Sequence, residues 1–268
     1  MSDATLLIER RGAVDHVTLN RPDRLNALNL VLVDALRSYF EDLHRKTEVR
    51  IVVLKAAGRA FCAGLDMTPE ETPGAEIGHA GPRGAWEVQT RISDIYRAMR
   101  RCPQPIVALV QGAACGGGFS LALASDIRIL ADDARMNAAY AKIGLTGCDM
   151  GSSYFLPRLV GASLAAELIY TGRFIHADEA LHVKLASSIV PASDLEAAAD
   201  ALVDQMLAVA PMGLRLSKQA LGLALDAPSL DAALAVEDRH QALLAGTHDA
   251  KEAVAAFLAK RPADFRDG

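Results

Sequence analysis

No long block of one charge runs through this chain. Its 28 basic residues are interspersed with 33 acidic ones over 268 positions, for a formal charge of -5. A nucleic-acid partner, whose phosphates call for a clustered basic face, is disfavoured. Cysteine is scarce: Cys62, Cys102, Cys115 and Cys148 form no CxxC pair and share no regular spacing. The opening MSDATLLIERRG has no apolar stretch of the kind a secretion signal needs. Together these features lead to the expectation of a reducing cytoplasm. Histidines 16, 44, 79, 176, 182, 240 and 248 lack the spacing of a metal site, and His176 and His182 are expected on the surface of a helix pair. No metal or redox cofactor is expected. Neither GxxxxGK[ST] nor a GxGxxG between strand and helix occurs, which leaves a nucleotide-phosphate loop poorly supported. No internal repeat is evident.

Charge is also missing from residues 102–125, a span nearly long enough to suggest a membrane helix. Pro103, Pro105, Gln104, Gln111 and the run Gly116, Gly117, Gly118 interrupt it. The stretch reads instead as a buried strand, a glycine turn and a buried helix, with no membrane partner.

What is present is ordinary for a globular protein: 51% hydrophobic and 23% charged residues, enough for a sizeable core. Apolar runs at TLLIER, VDHVTLN, RIVVLKAA, PIVALVQG and DIRILA predict strands. Between them, residues 30–46 place Leu32, Ala35, Leu36, Tyr39, Phe40 and Leu43 on one stripe behind an Asn29 cap, the pattern of a core-facing helix. Residues 85–101 form a second helix candidate. Strands with intervening helices imply crossovers and an α/β layout. After about residue 190 strand-like runs stop, so residues 1–192 read as the core and 193–268 as a helical C-terminal region. Ser193 and Glu196 suggest a capping box for a helix ending near Pro211, and further helices are predicted at 212–226, 229–245 and 248–260. Their apolar faces need a cover, which a second subunit can provide. The Pro/Gly-rich 68–84 segment predicts a surface loop.

Two small-residue turns carry the chemistry, each following a strand: AFCAGLD (60–66) and ACGGGFS (114–120). Unpaired N–H groups at such turns can converge on a negative centre, and small side chains let a ligand approach the backbone. Close packing of helix on strand is the other reading of the three glycines.

The order NRPDRLNAL (20–28), AFCAGLD, PIVALVQGAACGGGFSLALASDIRI (105–129), LPRLVG (156–161), a run ending YTG (170–172) and FLAKRPADF (257–265) resembles the crotonase superfamily of enoyl-CoA hydratases and isomerases over nearly the whole chain. The resemblance implies an α/β fold with a core spiral of ββα turns, a C-terminal helical part used for trimerisation, and a homotrimer or a hexamer of two trimers. It implies an acyl-CoA or enoyl-CoA substrate, with coenzyme A present as part of that substrate. Two backbone amides would polarise the thioester carbonyl and hold the enolate; carried onto this chain they are those of Ala63 and Gly117. Contacts to CoA would come from Arg24, Leu25, Ala27, Leu65, Asp66 and Gly116, and from Phe257 and Lys260 at the last helix, sometimes across subunits.

The acid/base positions depart from that pattern. Hydratases of the family carry one glutamate two residues after the glycine run and another in a segment resembling PEILLG; here those positions hold Ser120 and Tyr140. The available substitute is Asp149, close to where the dienoyl-CoA isomerases place an aspartate, with one extra residue before it here. Burial in an apolar acyl pocket would raise its pKa and suit it to moving protons. Its alternative role is to cap the helix at 151–160. Tyr140 either orients water or donates a proton, or packs as an aromatic against the acyl chain. Cys115 and Cys148 lie near the expected pocket without a neighbouring histidine, as core cysteines do. The implied reaction is hydration/dehydration or double-bond isomerisation; the alternative is a non-catalytic or regulatory acyl-CoA-binding protein that has lost the glutamate pair.

Overall fold

The computed structural model describes residues 4–68 and 81–268. Strands β1 (Leu6–Arg11), β2 (Val14–Leu19) and β3 (Ile51–Ala56) begin it, with helix α1 (Leu30–Asp42) between β2 and β3. Helix α2 (Gly81–Arg101), β4 (Ile106–Val110), β5 (Ala113–Cys115), α3 (Gly117–Ala124), β6 (Ile127–Ala131) and β7 (Arg135–Asn137) follow. Then come α4 (Ser152–Val160), α5 (Ala162–Thr171), β8 (Ile175–His176), α6 (Ala177–His182) and β9 (Ser188–Val190). Four helices close the chain: α7 (Leu195–Leu207), α8 (Pro211–Ala224), α9 (Leu230–Ala245) and α10 (His248–Leu258).

A six-stranded sheet runs in the order β1-β2-β3-β4-β6-β9, and a three-stranded sheet in the order β5-β7-β8. In the larger sheet only the β1–β2 hairpin is antiparallel. Its central strands are apolar at successive positions because both faces are covered. Val52, Leu54, Ala108, Val110 and Leu130 face a core shared with α1, α2 and α3. Ile51, Val53, Val107, Leu109 and Ile129 face the other way, onto Leu195, Ala199 and Val203 of α7. The helical region beginning at 193 is therefore not uniform: α7 is part of the sheet's packing. Helix α8 is tied on by Lys218, which is buried, donates to Met99 O (3.0 Å) and Gln104 O (2.8 Å), and pairs with Asp126 (2.9 Å).

Asn29 caps α1 as predicted, its Oδ1 accepting from Leu32 N at 3.0 Å. The capping box does not form. Ser193 Oγ donates to Asp194, a short 3-10 turn leads into α7 without a side-chain cap, and Glu196 is drawn to Lys55 at 2.6 Å. That helix stops at Leu207, and Pro211 opens the next one, where its missing N–H costs nothing. Of the predicted 68–84 loop, residues 81–84 form the first turn of α2, and residues 69–80 lie outside the described residues. His176 and His182 are exposed, but at the two ends of one short helix, α6. Among the described residues no single helix is long and apolar enough to cross a membrane.

Candidate active site

The AFCAGLD segment runs between two neighbours. On one side Cys62 pairs in parallel with Ala114: its N–H goes to Ala113 O (3.1 Å) and its carbonyl takes Cys115 N–H (2.9 Å). On the other side Ala63 N–H donates to Leu25 O at 3.0 Å, Gly64 O accepts from Leu28 N at 2.7 Å, and Asp66 N–H donates to Leu28 O at 3.0 Å. This corrects the assignment of Ala63: its amide already serves the Leu25 carbonyl. The amide of Leu65 differs. In a trans peptide the N–H points opposite to the preceding C=O, so the Leu65 N–H points away from Leu28, toward the side where Cys62 meets β5. It finds no acceptor among the described residues.

The second turn lies on that same side. A methyl group built on Gly64, which sits at φ +100, would come within 2.9 Å of Cys115 O and 3.7 Å of Gly117 N. Gly117 is the first residue of α3, and its N–H likewise finds no acceptor among the described residues, as first-turn amides do not. The partial positive charge of the helix start adds to it. Both readings of the glycine run hold, at different glycines. A Cβ on Gly118 would stand 2.2 Å from Cys62 O, so this residue packs helix against strand. Gly117 instead faces Leu28 Cδ1, Met150 Sδ and the Tyr96 hydroxyl.

Asp149 lies in the turn before α4, half-buried. Its Oδ1 accepts from Met150 N (2.7 Å) and from Gln89 Nε2 of α2 (2.5 Å). Burial raises its pKa above the ordinary aspartate value, against the opposing effect of those two donors. The helix-capping reading fails: the N-cap of α4 is Gly151, and no side chain caps its first turn. Tyr140 is buried in a short 3-10 turn, its ring against Gly116 and its hydroxyl 3.4 Å from Asp149 O, a poor hydrogen bond. Burial pushes its pKa up, so it stays a phenol. Ser120 Oγ is fully buried beneath it and has no hydrogen-bond partner among the described residues.

The other expected contacts are spread around this centre. Arg24 is exposed, Leu25 is half-buried at φ +50, and Ala27 is buried. The Asp66 carboxylate is committed to Arg21 (3.0 Å) and Thr68 (2.7 Å), which hold its pKa low although burial works the other way. Gly116, at φ +50, ends β5 and turns the chain into α3. Phe257 and Lys260 stand exposed at the far end of α10, whose main packing partner is α9. Gln89 and Tyr96 escaped the sequence reading, and Leu65, expected there as a CoA contact, was not seen as the residue whose amide is left without an acceptor among the described residues. The residue names carry no signal for the free Leu65 amide, which depends on the peptide plane that pairs with Leu25 and Leu28, and Gln89 and Tyr96 meet the site only through packing of α2 on α3 and on the turn before α4.

Residues 9–268 match the protein-family model described as enoyl-CoA hydratase/isomerase. The chain belongs to that family. A Mycobacterium tuberculosis protein named "probable enoyl-CoA hydratase" is 36% identical over 264 residues, 98% of this chain and 93% of that one. The 1,2-epoxyphenylacetyl-CoA isomerase of Escherichia coli is 32% identical, over 93% of each chain. The crystal structure of an enoyl-CoA hydratase from Bacillus anthracis superposes with a TM-score of 0.91 at 30% identity, covering 98% of this chain and 100% of that one. The fold is thus that of the crotonase superfamily, and the protein is an enzyme of hydratase/isomerase type. Free sulfhydryls at all four cysteines and no metal-binding cluster among the described residues complete the inventory.

Proposed function

We propose that the enzyme forms a thioester enolate from an enoyl-CoA, holds its oxygen between the Leu65 and Gly117 amides, and moves the proton with Asp149. The observation that carries this is the pair of unpaired N–H groups on adjacent turns, with a carboxylate of raised pKa beyond Met150. Donors already fixed in place when negative charge develops need no reorganisation, and one such donor is worth about 3 to 4 kcal/mol. In hydration, Asp149 takes a proton from water as its oxygen adds to the β-carbon. The electron pair moves to the thioester oxygen, and a proton then returns to the α-carbon. In double-bond isomerisation the same carboxylate removes a proton at one carbon and returns it two carbons away. Among the described residues the site offers the Asp149 carboxylate, with Ser120 and Tyr140 at the glutamate positions, and this suits the second reaction more directly, since one base completes it.

Coenzyme A enters as part of the substrate, with Arg24, Leu25, Ala27, Leu65, Asp66 and Gly116 bordering its entrance and Arg24 offering an exposed cation to phosphate. The exposed Leu221, Leu230, Val254, Phe257 and Leu258 of α8 to α10 support a homotrimer or a hexamer of two trimers, in which Phe257 and Lys260 reach CoA across subunits. Free cysteines fit work in a reducing cytoplasm. The deciding assay offers crotonyl-CoA and a 3-enoyl-CoA separately. Turnover of the second alone assigns isomerisation, and turnover of the first assigns hydration. Binding of both without turnover would overturn the catalytic reading.

A further inference from the structure

A half-open cavity of about 1040 Å³ lies between α2, α4 and α8, at the upper limit of the size of sites that take small ligands. Tyr96 and Met150 line it. The same two side chains stand at Gly117 from the opposite side: a Cβ there would be 3.2 Å from the Tyr96 hydroxyl and 3.1 Å from Met150 Sδ. Two side chains therefore separate the enolate-holding turn from a large empty space. The wall is held shut by one hydroxyl, since Tyr96 lies 3.0 Å from Gly117 O and 3.3 Å from Met150 Sδ. Met150 is held at φ +49, a left-handed conformation uncommon for a side-chain-bearing residue, with its N–H on Asp149. Beyond the wall the cavity offers Leu43, Phe155, Leu216 and Leu223, beside charged residues held in ion pairs, Arg100 and Lys218 with Asp126 and Arg215 with Asp267.

We propose that Met150 and Tyr96 are the specificity-determining end wall of the acyl site, closing it off from the α2–α4–α8 cavity, which longer acyl chains enter once that wall is opened. This rests on the reading of the Leu65 and Gly117 amides as the thioester site. With the wall in place, short chains end against Met150 and Tyr96. With it removed, a longer chain gains apolar cover.

The test is the ratio of dissociation constants for butanoyl-CoA and dodecanoyl-CoA, saturated esters that bind without reacting. Met150→Ala is expected to shift that ratio toward dodecanoyl-CoA by at least about tenfold, the scale at which a few buried methylenes discriminate. Met150→Gly is the second variant, because glycine takes the left-handed backbone without strain and so guards against a misfolded alanine protein. Adding Gly222→Phe, which fills the cavity from α8, should cancel the gain and leave butanoyl-CoA binding unchanged. An unchanged ratio in both Met150 variants, or a gain that survives Gly222→Phe, overturns the proposal. Turnover of crotonyl-CoA or of a 3-enoyl-CoA by the unaltered enzyme separately tests the underlying reading, which fails if neither reacts.

Discussion

The two sides of the active site are built from different materials. The proposed oxyanion side is backbone: Leu65 and Gly117 offer N–H groups without an acceptor among the described residues, and side chains matter there only by being absent at Gly64, Gly117 and Gly118. The side proposed to move the proton is made of side chains, Asp149, Gln89 and Tyr140, brought together from α2 and the turns around residues 140 and 149. Backbone donors impose a geometry that many chemistries share. Side chains choose among them, and this is where the chain departs from the glutamate-bearing hydratases.

The largest expected effect separates the two sides. Asp149→Asn should lower turnover by about 100-fold or more, the contribution of a positioned general base. Thermal stability at neutral pH should hold or rise, since asparagine keeps an acceptor for Met150 N and Gln89 without a charge to desolvate. Unchanged turnover would remove the base from the proposal. Next, Gly64→Ala should cost about 10²- to 10³-fold in kcat, the scale of a lost oxyanion donor, because its methyl group would press on Cys115 O and displace the Leu65 amide. Activity within tenfold of the parent would show that the two turns are not jointly used.

A pH profile sharpens the comparison at a smaller scale. Since the folded-state pKa of Asp149 lies above its ordinary value, the ionised base is lost as pH falls through that raised value. The acid limb of kcat/KM should therefore sit above the usual aspartate pKa of about 3.9. A limb at or below that value would contradict a buried base. The smallest effect is expected from Tyr140→Phe, which removes a weak 3.4 Å contact and the polar contacts with Ser152 and Ser120, and should change kcat by no more than about tenfold. A loss near that of Asp149→Asn would promote the phenol to a proton donor.

How much of this was legible in the chain varies with the kind of evidence each element needs. The strands PIVALVQG and RIVVLKAA were evident because burial on both faces demands a continuous apolar run, and α1 because Asn29 and its stripe encode start and face locally. The capping box at Ser193 misled because Lys55, distant in sequence, competes for Glu196. Strands β5, β7, β8 and β9, of two or three residues each, are too short to show a period. Within the site, the glycine run pointed to Gly117, whereas Ala63 was the wrong neighbour of Gly64 because nothing in the residue names says which peptide plane Leu25 occupies.

By itself the sequence determined the family, the two small-residue turns and the absence of the usual glutamates, since those are written in local residue types. Only the tertiary structure decided which amides remain unpaired, where Asp149 points and what lies behind Gly117. Hydrogen bonding is exclusive, so an amide is a catalytic donor only if no other strand has claimed it, and that is a property of neighbours rather than of the residue.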